Sequence, residues 1–437
     1  MTDCSSGKLE FPACRRRQVV AAFDGGYVSS NGGALVLRQV DRRLGLTAAV
    51  AGRLGDGRQR GKVKHRTVDL LRQRVFALAL GYDDLNDHAA LRHDPALQTA
   101  AERDRALASA PTLCRFENRA ERRWAWAVHE VLVASFIASF ACPPEELVLD
   151  FDATDDAVHG HQEGRFFHGY YDHYCFLPLY VFCGDQLLVS YLRPSKIDGA
   201  KHAWAVLALL VKRLRQAWPG VRIIFRGDSG FCRHHMLSWC ERMDVGYIVG
   251  LAKNARLNAL AEPWLIEAAA GFVRTGEKQR LFAELAYAAG SWARPRRVIA
   301  RIEHTDKGAN PRFVVTNLQG PGQDLYERLY CARGEMENRI KEQQLDLFAD
   351  RTSCHRWWPN QFRLLLASLA YVLLDGIRRL GLAGTEMARA QCGTIRLKLL
   401  KIGAVITRNT RRVRFQLSSA CPDKDLFALL AARLHAG

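Results

Sequence analysis

The stretch 146–251 constrains the fold most, because short apolar strands and helices alternate there. Residues 146–152 read ELVLDFD, a β-type run. Two more such runs occupy 177–183 and 186–193, with Gly184-Asp185 between them as a hairpin turn. Residues 200–218 carry helical patterning. Residues 221–226 read VRIIFR and run into Gly-Asp-Ser-Gly. A helix around 232–243 and a strand around 247–251 follow. Strand, hairpin, helix, strand, helix, strand predicts a mixed α/β layer.

The flanks differ. Residues 1–140 read as mostly helical, with a strongly basic stretch at 53–74, a turn at Gly81 and a helix over 122–140 that Pro143-Pro144 closes. Residues 255–320 carry short β-like runs at 296–302 and 312–316, between Gly- and Arg-rich turns. A long charged helix spans 325–348, and a mainly apolar one 359–380. The tail 388–422 holds no acidic residue and eight basic ones: Arg389, Arg396, Lys398, Lys401, Arg408, Arg411, Arg412 and Arg414. The expected divisions are 1–140, 141–254, 255–320, 321–380 and 381–437.

Three carboxylates interrupt elements built for something else. Asp152 closes an apolar strand, Asp228 follows VRIIFR, and Glu337 lies on a helix. Strand-end carboxylates joined by one from a helix can converge on divalent cations for an in-line phosphoryl transfer. Mg²⁺ suits such hard oxygen donors, with Mn²⁺ as its substitute. Each acid also has a plainer reading as a turn former or helix cap. Asp150 shares the strand face of Asp152, and pattern alone does not choose between them. Tyr330, Arg333, Glu337, Lys341 and Gln344 fall on one face of the charged helix. There Arg and Lys can grip phosphate oxygens and Tyr can donate a hydrogen bond. The plainer alternative is a solvated face with i,i+4 ion pairs.

Charge narrows the partner. The formal net charge is +18 and the isoelectric point is near 9.6. An excess of that size attracts polyanions, nucleic acid above all. The twelve cysteines are scattered without CxxC spacing, which argues against a zinc ribbon. No signal-peptide pattern or bilayer-length apolar run is seen, so a soluble cytoplasmic protein is expected.

YCARGEMENRIKEQQLDLF (330–348) resembles the Tyr–Arg–Glu–Lys signature of bacterial insertion-sequence DDE transposases, in insertion-sequence family thirteen-eighty. LDFDATDDAVHGHQEG, HGYYDHYCFLPLYVFCGD, FRGDSGFCR and GYDDLNDHAALRHDPAL are similar to other blocks of that family. The resemblance implies an RNase H-like catalytic core with a mainly β insertion between the second Asp and the Glu. It also implies a helical N-terminal DNA-binding domain and a small basic C-terminal region. Asp152, Asp228 and Glu337 become the implied metal ligands, the family's Asp-x-Thr selecting Asp152 over Asp150. Tyr330 and Arg333 become phosphate contacts, with Lys341 and Gln344 beside them. Gln344 replaces the signature Lys, and Lys341 lies one turn earlier.

The implied activity is DNA strand cleavage and transfer on double-stranded DNA, with a homodimer holding the two inverted-repeat ends. A nuclease without strand transfer and a non-catalytic DNA-binding derivative are the rival readings. Trp292 is a candidate for stacking on a base. Arg396, Lys398, Arg411 and Arg412 are candidate end-binding residues, as is the stretch 53–74. His159, His161, His168 and His173 match no zinc spacing and are read as loop histidines.

Overall fold

The computed structural model describes residues 7–435, and its contacts divide the chain into two units. Unit 1 takes Met1–Arg119, Asp346–Phe348 and Leu369–Gly437, and unit 2 takes Ala120–Leu345 and Ala349–Ser368. The contact division falls after Arg119, whereas the sequence pattern places a boundary at 140. Helix Arg122–Ala138 puts Val133 and Phe136 into the core of unit 2.

Unit 1 opens on strands rather than helices. β1 (Leu9–Cys14) and β2 (Arg17–Ala21) form an exposed antiparallel hairpin, and β3 (Val28–Ser29) follows. Helices Ala34–Leu44, Leu46–Leu54 and Thr67–Ala79 come next. Arg72 and Arg74, at the end of the basic stretch, are buried in the last of these. Arg72 pairs with Asp41 at 3.1 Å and Glu102 at 2.7 Å, and Arg74 with Glu117 at 2.6 Å. These two arginines hold the fold together and are not part of a surface for DNA.

Unit 2 is built on β4 (Glu146–Ala153). A small sheet follows, made by β5 (Asp156–Ala157), β6 (Phe166–His168) and β7 (His173–Phe176) in the order β5-β7-β6. Then come β8 (Leu179–Cys183), β9 (Gln186–Tyr191), β10 (Arg222–Gly227), β11 (Gly246–Leu251), β12 (Gln279–Tyr287), β13 (Arg296–Thr305), β14 (Gly308–Ala309) and β15 (Arg312–Thr316). With β4 they make a nine-stranded sheet in the order β12-β13-β15-β11-β10-β4-β8-β9, β14 pairing with β13. β4, β10 and β11 run parallel, while β8 and β9 add antiparallel.

Alternation along β4 explains its two faces. Leu147, Leu149 and Phe151 enter the main core with Ile223, Phe225 and Val249, against helix Ala203–Ala217. Each such side chain gains roughly 1.5–3 kcal/mol on full burial. Val148 packs on the opposite face, in a smaller cluster of Ile224, Ile248, Ile299, Val314 and Tyr326. Asp150 and Asp152 share the face of Val148.

The stretch 255–320 does not fold as a separate β insertion. It begins with helices Ala255–Leu260 and Glu262–Thr275. Its strands then extend the central sheet, because β15 pairs antiparallel with β11 from Ile248↔Thr316 to Leu251↔Phe313. An apolar edge such as β11 would otherwise expose unpaired backbone groups. The C-terminal region belongs to unit 1, where β16 (Ala404–Arg408) pairs with β17 (Val413–Leu417) and β3. Among the described residues no helix is long and apolar enough to cross a membrane.

Candidate active site

β4 and β10 run parallel, with Asp150 directly opposite Arg226. Asp152 and Asp228 lie two positions further along their strands, so both emerge at the same end of the sheet. Asp150 is buried, and both its oxygens accept from Arg226, one of them from Nη2 at 2.6 Å. Arg226 also donates to the Leu329 carbonyl. Asp150 is therefore a closed structural pair, and it leaves Asp152 as the available carboxylate of this strand.

Asp152 Oδ1 accepts from the Ala153 N–H at 2.9 Å. Asp228 starts the tight turn Ser229–Phe231, and its Oδ1 accepts from the Gly230 N–H at 2.8 Å. Glu337 comes from helix Gly334–Lys341. Arg333 links strand to helix. Its Nη1 lies 3.4 Å from Asp152 Oδ2, and its Nη2 donates to Glu337 Oε1 at 2.7 Å. Burial pushes the Asp152 carboxyl up to about 7. Arg333 opposes that, and the negative charges of Asp228 and Glu337 add to it. The three expected acids thus share one electrostatic neighbourhood. Among the described residues no three acidic, His or Cys side chains close on a common point as a ready ligand set.

The Tyr330 hydroxyl lies against Gly250. A Cβ there would stand 2.7 Å from that oxygen and 2.7 Å from the Ser229 nitrogen. Only glycine lets the tyrosine and the Asp228 turn approach so closely. Beside them opens a cavity of about 300 Å³, lined by Ser229, Lys253, Arg312, Tyr326 and Tyr330 among others. Lys253 and Arg312 give it positive charge. The sequence reading missed both, because they become neighbours only when β15 joins β11.

The helical face expected over 330–344 is broken. Leu325–Tyr330 and Glu342–Asp346 are wide turns with i→i+5 bonding, flanking the regular turns of Gly334–Lys341. Such widening changes the angle between successive side chains and recurs at functional sites. Lys341 is exposed. Gln344 instead donates its Nε2 to the Asp155 carbonyl at 2.9 Å, tethering the loop after Asp152. That bond directs one amide N–H to the backbone rather than to a phosphate.

Other candidates fall elsewhere. Trp292 packs on the main core, 5.5 Å from the Tyr287 ring, with the Arg296 guanidinium 4.9 Å over its face. The side chain is partly buried, with one ring face taken by Arg296. In unit 1, Arg396 donates to the Ala79 carbonyl at 2.9 Å and to the carbonyls of Leu78 and Asp346. It braces the fold through these carbonyls, which leaves less of its guanidinium for DNA. Lys398 pairs with Asp423 at 3.4 Å. Arg411 and Arg412 sit exposed at the β16–β17 turn, their backbone N–H groups capped by Asn409. His173 pairs with Asp155 at 2.9 Å.

A search of curated proteins gives no significant match. Among solved structures the chain is similar to "Cryo-EM structure of piggyBac transposase synaptic complex with hairpin DNA (SNHP)". Identity there is 10% and the TM-score 0.41, covering 92% of this chain and 81% of that chain. The family described as "Transposase DDE domain group 1" matches residues 11–436. That match spans nearly the whole sequence, and the chain belongs to this transposase DDE domain family.

Proposed function

We propose that this transposase serves an insertion sequence and acts through an RNase H-like core. The order β9-β8-β4-β10-β11, three antiparallel strands followed by two parallel ones, supports that core. One observation carries the catalytic reading. Asp152 and Asp228 end adjacent strands, and Arg333 spans Asp152 and Glu337.

The donor set fits a hard divalent cation, being three carboxylates without thiol or imidazole. A carboxyl held up to about 7 by burial and like charge marks a place short of positive charge. Mg²⁺, or Mn²⁺ in its place, supplies activation of the attacking oxygen and neutralises charge on the leaving one. Asp152, Asp228 and Glu337 would hold it. Arg333 balances the acids and can turn its remaining N–H groups to a phosphate oxygen. Tyr330, fixed against Gly250, presents a hydroxyl to the neighbouring phosphate, and Lys341 adds exposed charge. Arg411 and Arg412 are suited to the duplex backbone. Two inverted-repeat ends must be held together, so the acting species is a homodimer on double-stranded DNA.

The test is Mg²⁺-dependent cleavage of DNA carrying the element's ends. Wild type should cut, and should join pre-cut 3′ ends to target DNA, while Asp152→Ala should do neither. Cutting by both proteins would remove Asp152 from the reading. Cutting without joining would make the protein a nuclease.

A further inference from the structure

The small sheet that follows Asp152 has an aromatic surface that the carboxylate chemistry does not use. Phe167 and Tyr174 stand opposite each other on β6 and β7, with ring centroids 5.7 Å apart. They are 53% and 47% exposed, and Tyr170, in the connecting turn, is 85% exposed. On the other face Cys175 is buried, opposite Phe166, and the Phe166 carbonyl accepts from Ser195 at 2.8 Å. The sheet is therefore anchored from behind and open in front. Cations attend its rings. On the open face the Arg165 guanidinium lies 4.3 Å over Tyr174, and on the other face the Lys196 ammonium lies 5.4 Å over Phe166.

The same hairpin leans on the catalytic strand end. His173 holds Asp155, three residues past Asp152. Tyr171 meets Tyr170 edge-on, with ring centroids 5.0 Å apart. Its hydroxyl is pushed up to about 12 by burial, then by the charges of Asp155 and Asp152, which places it within their field. An exposed apolar cluster is costly in water unless a partner covers it. Flat rings interleaved with cations match one partner chemistry, unpaired bases on a phosphate backbone.

We infer that the aromatic hairpin of β6 and β7 stacks unpaired bases of the DNA strand whose phosphate lies at Asp152. The rings receive the bases, and Arg165, over Tyr174, meets an adjoining phosphate. This rests on the reading of Asp152 as part of the catalytic site.

The test uses the full chain and a fluorescein-labelled oligodeoxythymidine, with a blunt duplex of equal length, at one low salt concentration. Phe167→Leu/Tyr170→Leu, which keeps apolar bulk but removes the flat rings, should weaken single-strand binding about tenfold or more. Duplex binding should change less than twofold. No single-strand binding by wild type, no loss in the variant, or equal loss on both DNAs would overturn the inference. A 5-iodouracil oligonucleotide should crosslink within residues 165–174, and crosslinks confined elsewhere would also overturn it. Asp152→Ala should retain single-strand binding. A failure of the catalytic reading would therefore show in cleavage, and a failure of this inference in binding.

Discussion

Asp150 and Asp152 stand two positions apart on one face of β4, and each meets an arginine. The outcomes differ. Arg226 gives Asp150 two donors in a buried, bidentate pair and spends a third on a carbonyl. Arg333 gives Asp152 a single contact at 3.4 Å and its better bond to Glu337. A buried pair with both carboxylate oxygens engaged fixes a strand and has little left to offer a substrate. A pair with one shared cation and surplus negative charge stays available. Identical residue types on one strand thus differ in completeness of pairing, one closed and one left open to a further partner.

The largest expected effect separates the two directly. Asp152→Asn should lower cleavage at least about 100-fold, in line with the loss of a group that acts on the transition state, while its denaturation midpoint stays near wild type. Asp150→Ala should do the reverse, losing about 3–5 kcal/mol of stability because Arg226 is left buried without a partner. Urea denaturation measures this, and a fully stable Asp150→Ala would erase the distinction.

A third case tests burial without a carboxylate. In unit 1, burial pushes the imidazole of His88 down to about 3, and nearby Arg74 pushes the same way. The fold therefore favours neutral His88. Its stability contribution is complete above about pH 6.5 and is lost as the pH falls toward 3, by about 1.4 kcal/mol per unit. Denaturation at pH 7, 6 and 5 should show that slope, and His88→Gln should flatten it. The smallest effect is expected from Gln344→Lys. Losing the bond to the Asp155 carbonyl should cost about 1 kcal/mol, read as a modest shift in melting temperature. Cleavage should not rise, because the position is tied to a loop rather than to phosphate.

Much of the central layer was legible in the sequence. ELVLDFD and VRIIFR became β4 and β10, the Gly184-Asp185 turn joins β8 to β9, and Arg333 does pair with Glu337 four residues on. Those signals are local. What escaped depends on register between distant segments. Asp150 faces Arg226 only once β4 and β10 are aligned. The strands of 279–316 join the main sheet because β15 finds the edge of β11. A basic residue count cannot tell Arg396, spent on three carbonyls, from Arg411, exposed at a turn. Nor does a charged-helix pattern foretell the wide turns that send Gln344 to Asp155.

The close approach at Gly250 works as a gauge between two parts of the site. One jaw is the turn that carries Asp228, the other is the tyrosine just ahead of Arg333 and Glu337, and the space between them admits a hydrogen atom but no methyl group. Even alanine would force the jaws apart, and displacements near 1 Å can cost about 100-fold in rate. The spacing of the Asp228 turn and Tyr330 is thus written at a residue with no side chain of its own.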